Sequence, residues 1–262
     1  MVQFTLGRRK RSLRIVAFAR IALLVMSAVL LVTPNASALI LSYSTPAGSV
    51  DSAGEPVSAR ADVSTTGGLL TISLTNLQNN PQSAGQLLSD FGFTLSSGQT
   101  TGTLLSSTAL FERQVNANGT YSPTGFNVST GWALQNNVSG GLRLCDLCAA
   151  VGPTHTIIGG PDNANLYSGA NSSIANNGPH NPFLAGVVTF TITIPGLTSA
   201  AYVDSVFFSF GTVEGDNVRG QCILSCISGP LVTVPEPSSL LLLGAGLLGL
   251  AGLGLRKRLN TK

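Results

Sequence analysis

Apolar and polar residues alternate in short runs through most of residues 39–233. The clearest runs are 69–74, 91–95, 110–115, 186–194 and 202–210. Successive side chains of a β-strand point to opposite faces, so a period of two predicts strands with one buried face. Residues that favour turns, such as Pro195-Gly196, close these runs, and no long stretch has helical periodicity. The pattern predicts an all-β domain built as an antiparallel β-sandwich.

Two further details of this pattern concern faces and loops. In the run 186–194, Phe190, Ile192 and Ile194 share one face, while Thr189, Thr191 and Thr193 share the other. The stretches 116–140 and 159–181 are rich in Asn, Gly and Ser, which predicts long surface loops. Binding residues often lie on such loops, so these two stretches are candidates for ligand contacts.

The N-terminal 38 residues have the layout of a secretory signal peptide. Four basic residues, 8–11, precede the apolar stretch 21–32, and small residues at Ala36 and Ala38 follow Pro34. A basic region, an apolar region and small residues at the −3 and −1 positions are what signal peptidase recognises. We predict export through a translocon and cleavage after Ala38, with an uncleaved membrane anchor as the alternative.

The C-terminal residues predict a transmembrane helix. Residues 239–255 carry no charge and are followed by Arg256, Lys257 and Arg258. This length lies at the short end of what crosses a bilayer, and a buried core helix is the alternative. Basic residues remain on the cytoplasmic side, so the cluster at 256–258 acts as a membrane stop and residues 39–233 lie outside.

A short motif precedes this apolar span. Pro235, Glu236 and Pro237, followed by the Gly- and Leu-rich span and the basic cluster, resemble the PEP-CTERM sorting signal. The two prolines hold Glu236 in an extended segment that a processing enzyme can reach. The resemblance implies that residues 234–262 are a transient membrane anchor, recognised and removed by a membrane-embedded transpeptidase, the exosortase. Residues 186–211 also resemble the last strand pair of β-sandwich proteins that carry this tail.

Charge is distributed unevenly between the two ends and the middle of the chain. Residues 39–233 contain no lysine, and their four basic residues stand against ten acidic ones, a net charge of −6. The four are Arg60, Arg113, Arg143 and Arg219. Nucleic-acid binding requires clustered Lys and Arg to displace counterions from phosphates. The composition therefore excludes nucleic acid as the expected partner.

Four cysteines form two close pairs, Cys145 with Cys148 and Cys222 with Cys226 in sequence. An even number in an exported chain predicts two disulfides, for which three connectivities are possible. We favour local pairing within each close pair, with cross-pairing as the alternative. A four-thiolate zinc site is a weaker alternative because the second spacing fits it poorly.

The remaining side chains that could take part in catalysis or binding do not form a recognisable catalytic motif. His155 and His180 lie beside prolines and are expected at the surface. Trp132 is expected in the core, with a sugar-stacking platform as the alternative. The acidic turn 214–217 offers oxygen ligands for calcium without matching a calcium-loop pattern. We predict no catalytic residues, no metal site and no cofactor.

The sequence leaves several functions open. The family resemblance implies a non-enzymatic protein of the cell surface or extracellular matrix that associates with exopolysaccharide. The alternative is a displayed ligand-binding module, which would bind carbohydrate through Trp132 and the Asn-rich loops or ice through Thr189, Thr191 and Thr193. A secreted hydrolase is the weakest alternative, because no paired acid and base can be recognised in the sequence.

Overall fold

The computed structural model describes residues 40–146, 148, 155–175, 180–198, 200–212 and 217–224. The predicted signal peptide, the transmembrane span and the sorting signal lie outside these ranges. Within them, no helix has the length and apolar character needed to cross a bilayer.

The described residues fold into β-strands without any α-helix. The strands are β1 (Ile40–Ser44), β2 (Ala59–Thr66), β3 (Leu69–Asn76), β4 (Leu88–Leu95), β5 (Thr103–Val115), β6 (Tyr121–Ser129), β7 (Ala133–Val138), β8 (Gly141–Cys145), β9 (Ile157–Ile158), β10 (Phe183–Thr193), β11 (Val203–Phe210), β12 (Asn217–Arg219) and β13 (Gln221–Leu224). A short 3-10 turn at Ala84–Gln86 precedes β4. The all-β class predicted from the alternating pattern is confirmed.

Seven strands lie side by side in the order β13, β1, β2, β3, β10, β5 and β6, which we call the seven-stranded run. Each neighbouring pair within it is antiparallel. Within this run, β10 places Thr191 opposite Thr71 of β3 and opposite Ser106 of β5.

Five other strands lie side by side in the order β12, β11, β4, β8 and β7, which we call the five-stranded run. Its neighbouring pairs are also antiparallel. The two-residue strand β9 connects the two runs, because Ile157 pairs with Leu88 of β4 and with Leu184 of β10. The β9–β10 pairing is parallel, so the complete sheet is mixed rather than purely antiparallel.

One hydrophobic cluster contains side chains from both runs. Leu70, Ile72 and Leu74 of β3 and Phe91 and Phe93 of β4 are all buried in it. Burial alternates along β3, so the two-residue period of the sequence corresponds to a buried face and a more accessible one. The apolar face of each run is therefore removed from water by the other run.

The predicted loop at 116–140 is wrong, because this stretch contains β6 and β7. β6 lies at the edge of the seven-stranded run and pairs with β5 alone. Most of its side chains are exposed, including Phe126, so the strand does not need the alternating apolar pattern that marks half-buried strands. Backbone pairing to β5 holds it in place, and the composition of the stretch does not reveal that pairing.

Two other expectations are corrected by the strand order. β10 and β11 are not a strand pair, because β10 pairs with β3, β5 and β9, whereas β11 pairs with β4 and β12. The chain crosses from one run to the other between these strands. Described residues 159–175 contain no strand or helix, yet Tyr167 and Ile174 are buried in a second hydrophobic cluster. This loop therefore covers apolar surface as well as facing solvent.

Candidate functional site

A groove lies on the face of the five-stranded run that points away from the core. Strand register aligns five residues across this face, in the order Arg219, Phe207, Gly92, Arg143 and Gln135. Their sequence neighbours Val206 and Phe208, Phe91 and Phe93, and Leu142 and Leu144 are buried in the core. Because side chains alternate along a strand, the aligned row lies on the outer face.

The groove has a volume of about 350 Å³ and an aromatic wall. It is lined by Gly92, Phe93, Thr94, Val138, Ser139, Leu142, Arg143, Phe207, Ser209 and Asn217. The Phe207 side chain is 41% exposed although it is fully apolar. Gly92 lies beside it as the floor, and a Cβ placed there would meet only the Phe207 Cβ, at 3.9 Å. The missing side chain therefore leaves open space next to the Phe207 ring.

Polar side chains around the groove are held by hydrogen bonds. The Arg143 guanidinium donates to Gln135 Oε1 from Nε at 3.0 Å and from Nη2 at 2.7 Å. The Ser209 hydroxyl donates to the side-chain oxygen of Asn217. These bonds fix the orientation of the donors and acceptors before any ligand arrives, which reduces the entropy lost on binding.

The sugar-stacking alternative at Trp132 is wrong. Trp132 is 4% exposed, and its ring centroid lies 5.3 Å from that of Phe190 in the core. Its indole Nε1 donates a hydrogen bond of 2.9 Å to the carbonyl oxygen of His155. The indole N–H of the buried ring therefore has a hydrogen-bond partner, and Trp132 lies in the core as expected.

His155 was expected at the surface, but the structure buries it. It is 8% exposed rather than at the surface, and its Nε2 lies 3.7 Å from Glu112 Oε1. Glu112 in turn accepts a 2.9 Å hydrogen bond from the Thr124 hydroxyl. No group of three potential metal ligands occurs among the described His, Cys, Asp and Glu residues.

The structure joins Cys145 and Cys148 as a disulfide, with their Cα atoms 5.5 Å apart. Cys222 is disulfide-bonded as well, and Cys226 lies outside the described residues. The predicted local connectivity remains a prediction that direct mapping has to test. Of the acidic turn 214–217, only Asn217 is described.

The threonine face of β10 continues onto its neighbours. Thr189 lies opposite Ser73 and Thr108, and the hydroxyl oxygens of Ser73 and Thr189 are 3.4 Å apart. Thr191 lies opposite Thr71 of β3 in the next row. The ice-binding alternative depends on this face, and it remains a prediction.

Phe207 was not predicted as a site residue, because it lies in a run of apolar residues, Val206-Phe207-Phe208. A usable signal was nevertheless present. If Val206, Phe208 and Phe210 face the core with a period of two, then Phe207 must face outward. The structure shows this arrangement, with the other three residues buried.

Comparison with known proteins bears on the C-terminal residues. The family described as the PEP-CTERM protein-sorting motif matches residues 233–258. No curated protein and no solved structure matches the chain. The match covers the span and basic cluster as well as Pro235, Glu236 and Pro237, so the chain carries a PEP-CTERM sorting motif, the signal of an exported protein that an exosortase sorts from a transient membrane anchor.

Proposed function

We propose that this chain is a non-enzymatic protein of the cell surface or extracellular matrix that associates with exopolysaccharide after exosortase has removed its tail. The sorting motif at residues 233–258 is the observation that carries this proposal. In this proposal the signal peptide ends at Ala38, the sorting signal begins at Val234, and residues 39–233 are the working domain.

The character of the domain is consistent with a position outside the cell. We propose that its two strand runs form a β-sandwich, since side chains from both runs share one hydrophobic cluster. The Cys145–Cys148 disulfide suits an oxidising compartment. The net charge of −6 disfavours adhesion to anionic lipid headgroups.

The described side chains favour recognition over catalysis. The groove is lined by an aromatic ring, hydroxyls, an amide and an arginine, which are groups that hold a ligand by stacking and hydrogen bonds. The best-placed acid–base pair, His155 with Glu112, lies at a buried position and not among the residues that line the groove. The proposal therefore assigns the domain a binding role.

The first prediction concerns processing of the tail. In cells with the exosortase, the mature protein is expected at the cell surface or in the medium, with a mass that lacks the C-terminal span. In cells without the exosortase, the full tail should remain and the protein should fractionate with the inner membrane. Mass spectrometry of each fraction measures both outcomes.

Two variants sharpen this experiment in normal cells. The double substitution P235A/P237A should cause retention of the tail, because the segment around Glu236 is then no longer held extended. The control P230A, which lies outside the matched residues, should be processed like the natural protein. A natural protein that keeps its tail in cells with the exosortase would contradict the proposed function.

A further inference from the structure

We propose that the groove on the outer face of the five-stranded run binds a pyranose ring of a polysaccharide, with Phe207 as the stacking platform. This inference rests on the proposed function, because the exopolysaccharide around the cell supplies the ligand. It adds the binding site and the chemical class of the bound unit, which the sorting motif does not specify.

Phe207 has the properties of a stacking platform. One face of a pyranose ring presents C–H groups, which pack favourably on the electron-rich face of an aromatic ring. An aromatic side chain left 41% exposed beside open space offers such a face at little conformational cost, since it has two rotatable bonds. A pocket of about 350 Å³ lies at the small end of the usual range for ligand sites and has room for a sugar ring.

The groove also provides polar groups for the sugar hydroxyls. A guanidinium carries five N–H donors, whereas a hydroxyl or an amide both donates and accepts. Arg143 of β8 and Asn217 of β12 both line the groove, on strands that flank β4 and β11. Ser209 is buried, and its hydrogen bond orients the Asn217 side chain. Hydroxyls at the edge of a ring stacked on Phe207 therefore face donors and acceptors on more than one side.

Gly92 determines whether a ligand can reach the floor. It lies within β4 and has no positive φ, so its backbone conformation suits any residue. A larger side chain at this position would extend into the groove rather than into packed atoms, since a Cβ there would meet only the Phe207 Cβ, at 3.9 Å. The substitution G92L is therefore expected to fill the groove while the fold is kept.

The test measures binding of the mature protein isolated from producing cells. Its probes are the purified exopolysaccharide of those cells, dextran as a neutral polysaccharide and alginate as an acidic one. We expect binding to the exopolysaccharide, and we expect both F207A and G92L to weaken it by about tenfold or more. Preference for alginate or dextran then identifies the class of sugar.

The matched control is F126A. Phe126 is the more exposed ring, at 64%, but it lies on β6 and packs edge-on against Phe111, with centroids 5.4 Å apart. Its removal should change binding by less than about twofold. Circular dichroism of all three variants separates loss of binding from loss of fold.

Two outcomes would overturn the inference: no binding to any of the three polysaccharides, or binding by folded F207A and G92L at the natural strength. The second outcome is distinguishable from failure of the proposed function. A processed, surface-located protein that binds the exopolysaccharide equally well with and without Phe207 contradicts this inference alone, whereas absence of any polysaccharide binding also contradicts the exopolysaccharide association of the proposed function. A protein that binds through Phe207 but keeps its tail in cells with the exosortase contradicts the proposed processing alone.

Discussion

Asn76, at the end of β3, is a buried amide that holds the short strand β9 in place. Its Nδ2 donates to the carbonyl oxygens of Gln86 and Ile157, both at 2.9 Å, and its Oδ1 accepts from the Gln78 amide at 3.0 Å. Asn76 is 4% exposed, so water could not readily form these hydrogen bonds in place of its side chain. A strand of two residues makes few ladder bonds, and this side chain supplies the missing support.

The substitution N76A should lower the free energy of unfolding by about 2–4 kcal/mol, because it leaves buried carbonyl groups without hydrogen-bond partners. Chemical denaturation followed by circular dichroism measures the change. The matched control N163A removes an exposed amide and should change the same quantity by less than about 0.5 kcal/mol. Equal stability of the two variants would show that Asn76 does not support β9.

At the scale of elements, Tyr43 links the two strand runs. It lies on β1 of the seven-stranded run, and its hydroxyl donates to the carbonyl oxygen of Val203 on β11 of the five-stranded run. Burial raises the pKa of Tyr43 to about 12, with smaller contributions from Asp204 and Tyr202. Burial also raises the pKa of Tyr167, against the opposing effect of Arg113. Both shifts favour the neutral phenol in the folded protein.

These shifts predict a loss of stability at alkaline pH. A tyrosine ionises near pH 10 in the unfolded chain, so its stabilisation is complete below that value and is lost as the pH rises toward 12. The free energy of unfolding should therefore fall between about pH 10 and about pH 12. The fall should be smaller in Y43F, which cannot ionise and keeps the ring. A fall of equal size in Y43F and the natural protein would exclude Tyr43 as its source.

Some strands could be predicted from the sequence and others could not, and the difference has a physical reason. Run 69–74 lies within β3 and run 186–194 largely coincides with β10, because burial of one face imposes the two-residue period. β6 and β7 were not predicted, since β6 is held mainly by backbone pairing and buries few side chains. Backbone hydrogen bonds do not depend on side-chain identity, so strands held in this way impose no recognisable pattern of residues on the sequence.

At the scale of the whole molecule, the absence of lysine from residues 39–233 allows a simple test of disulfide connectivity. Trypsin cleaves after Arg143 and Arg219, so Cys145 and Cys148 lie on the peptide 144–219, and Cys222 and Cys226 lie on the peptide that begins at Gly220. Local pairing predicts that denatured, unreduced protein yields the two peptides separately. Each should gain the mass of two hydrogen atoms on reduction. A linked species containing both peptides would instead show cross-pairing.

The sequence by itself determined where the chain is directed and what class of fold it adopts. Pro235, Glu236, Pro237 and the residues after them form a contiguous signal, and alternation along each strand is set by burial of that strand's own face. Only the tertiary structure decided which exposed aromatic side chain lines a groove. It buried Trp132 against Phe190 and left Phe207 exposed beside Gly92 and Arg143. These neighbours lie on strands far apart in the chain, and strand register, a non-local property, brings them together.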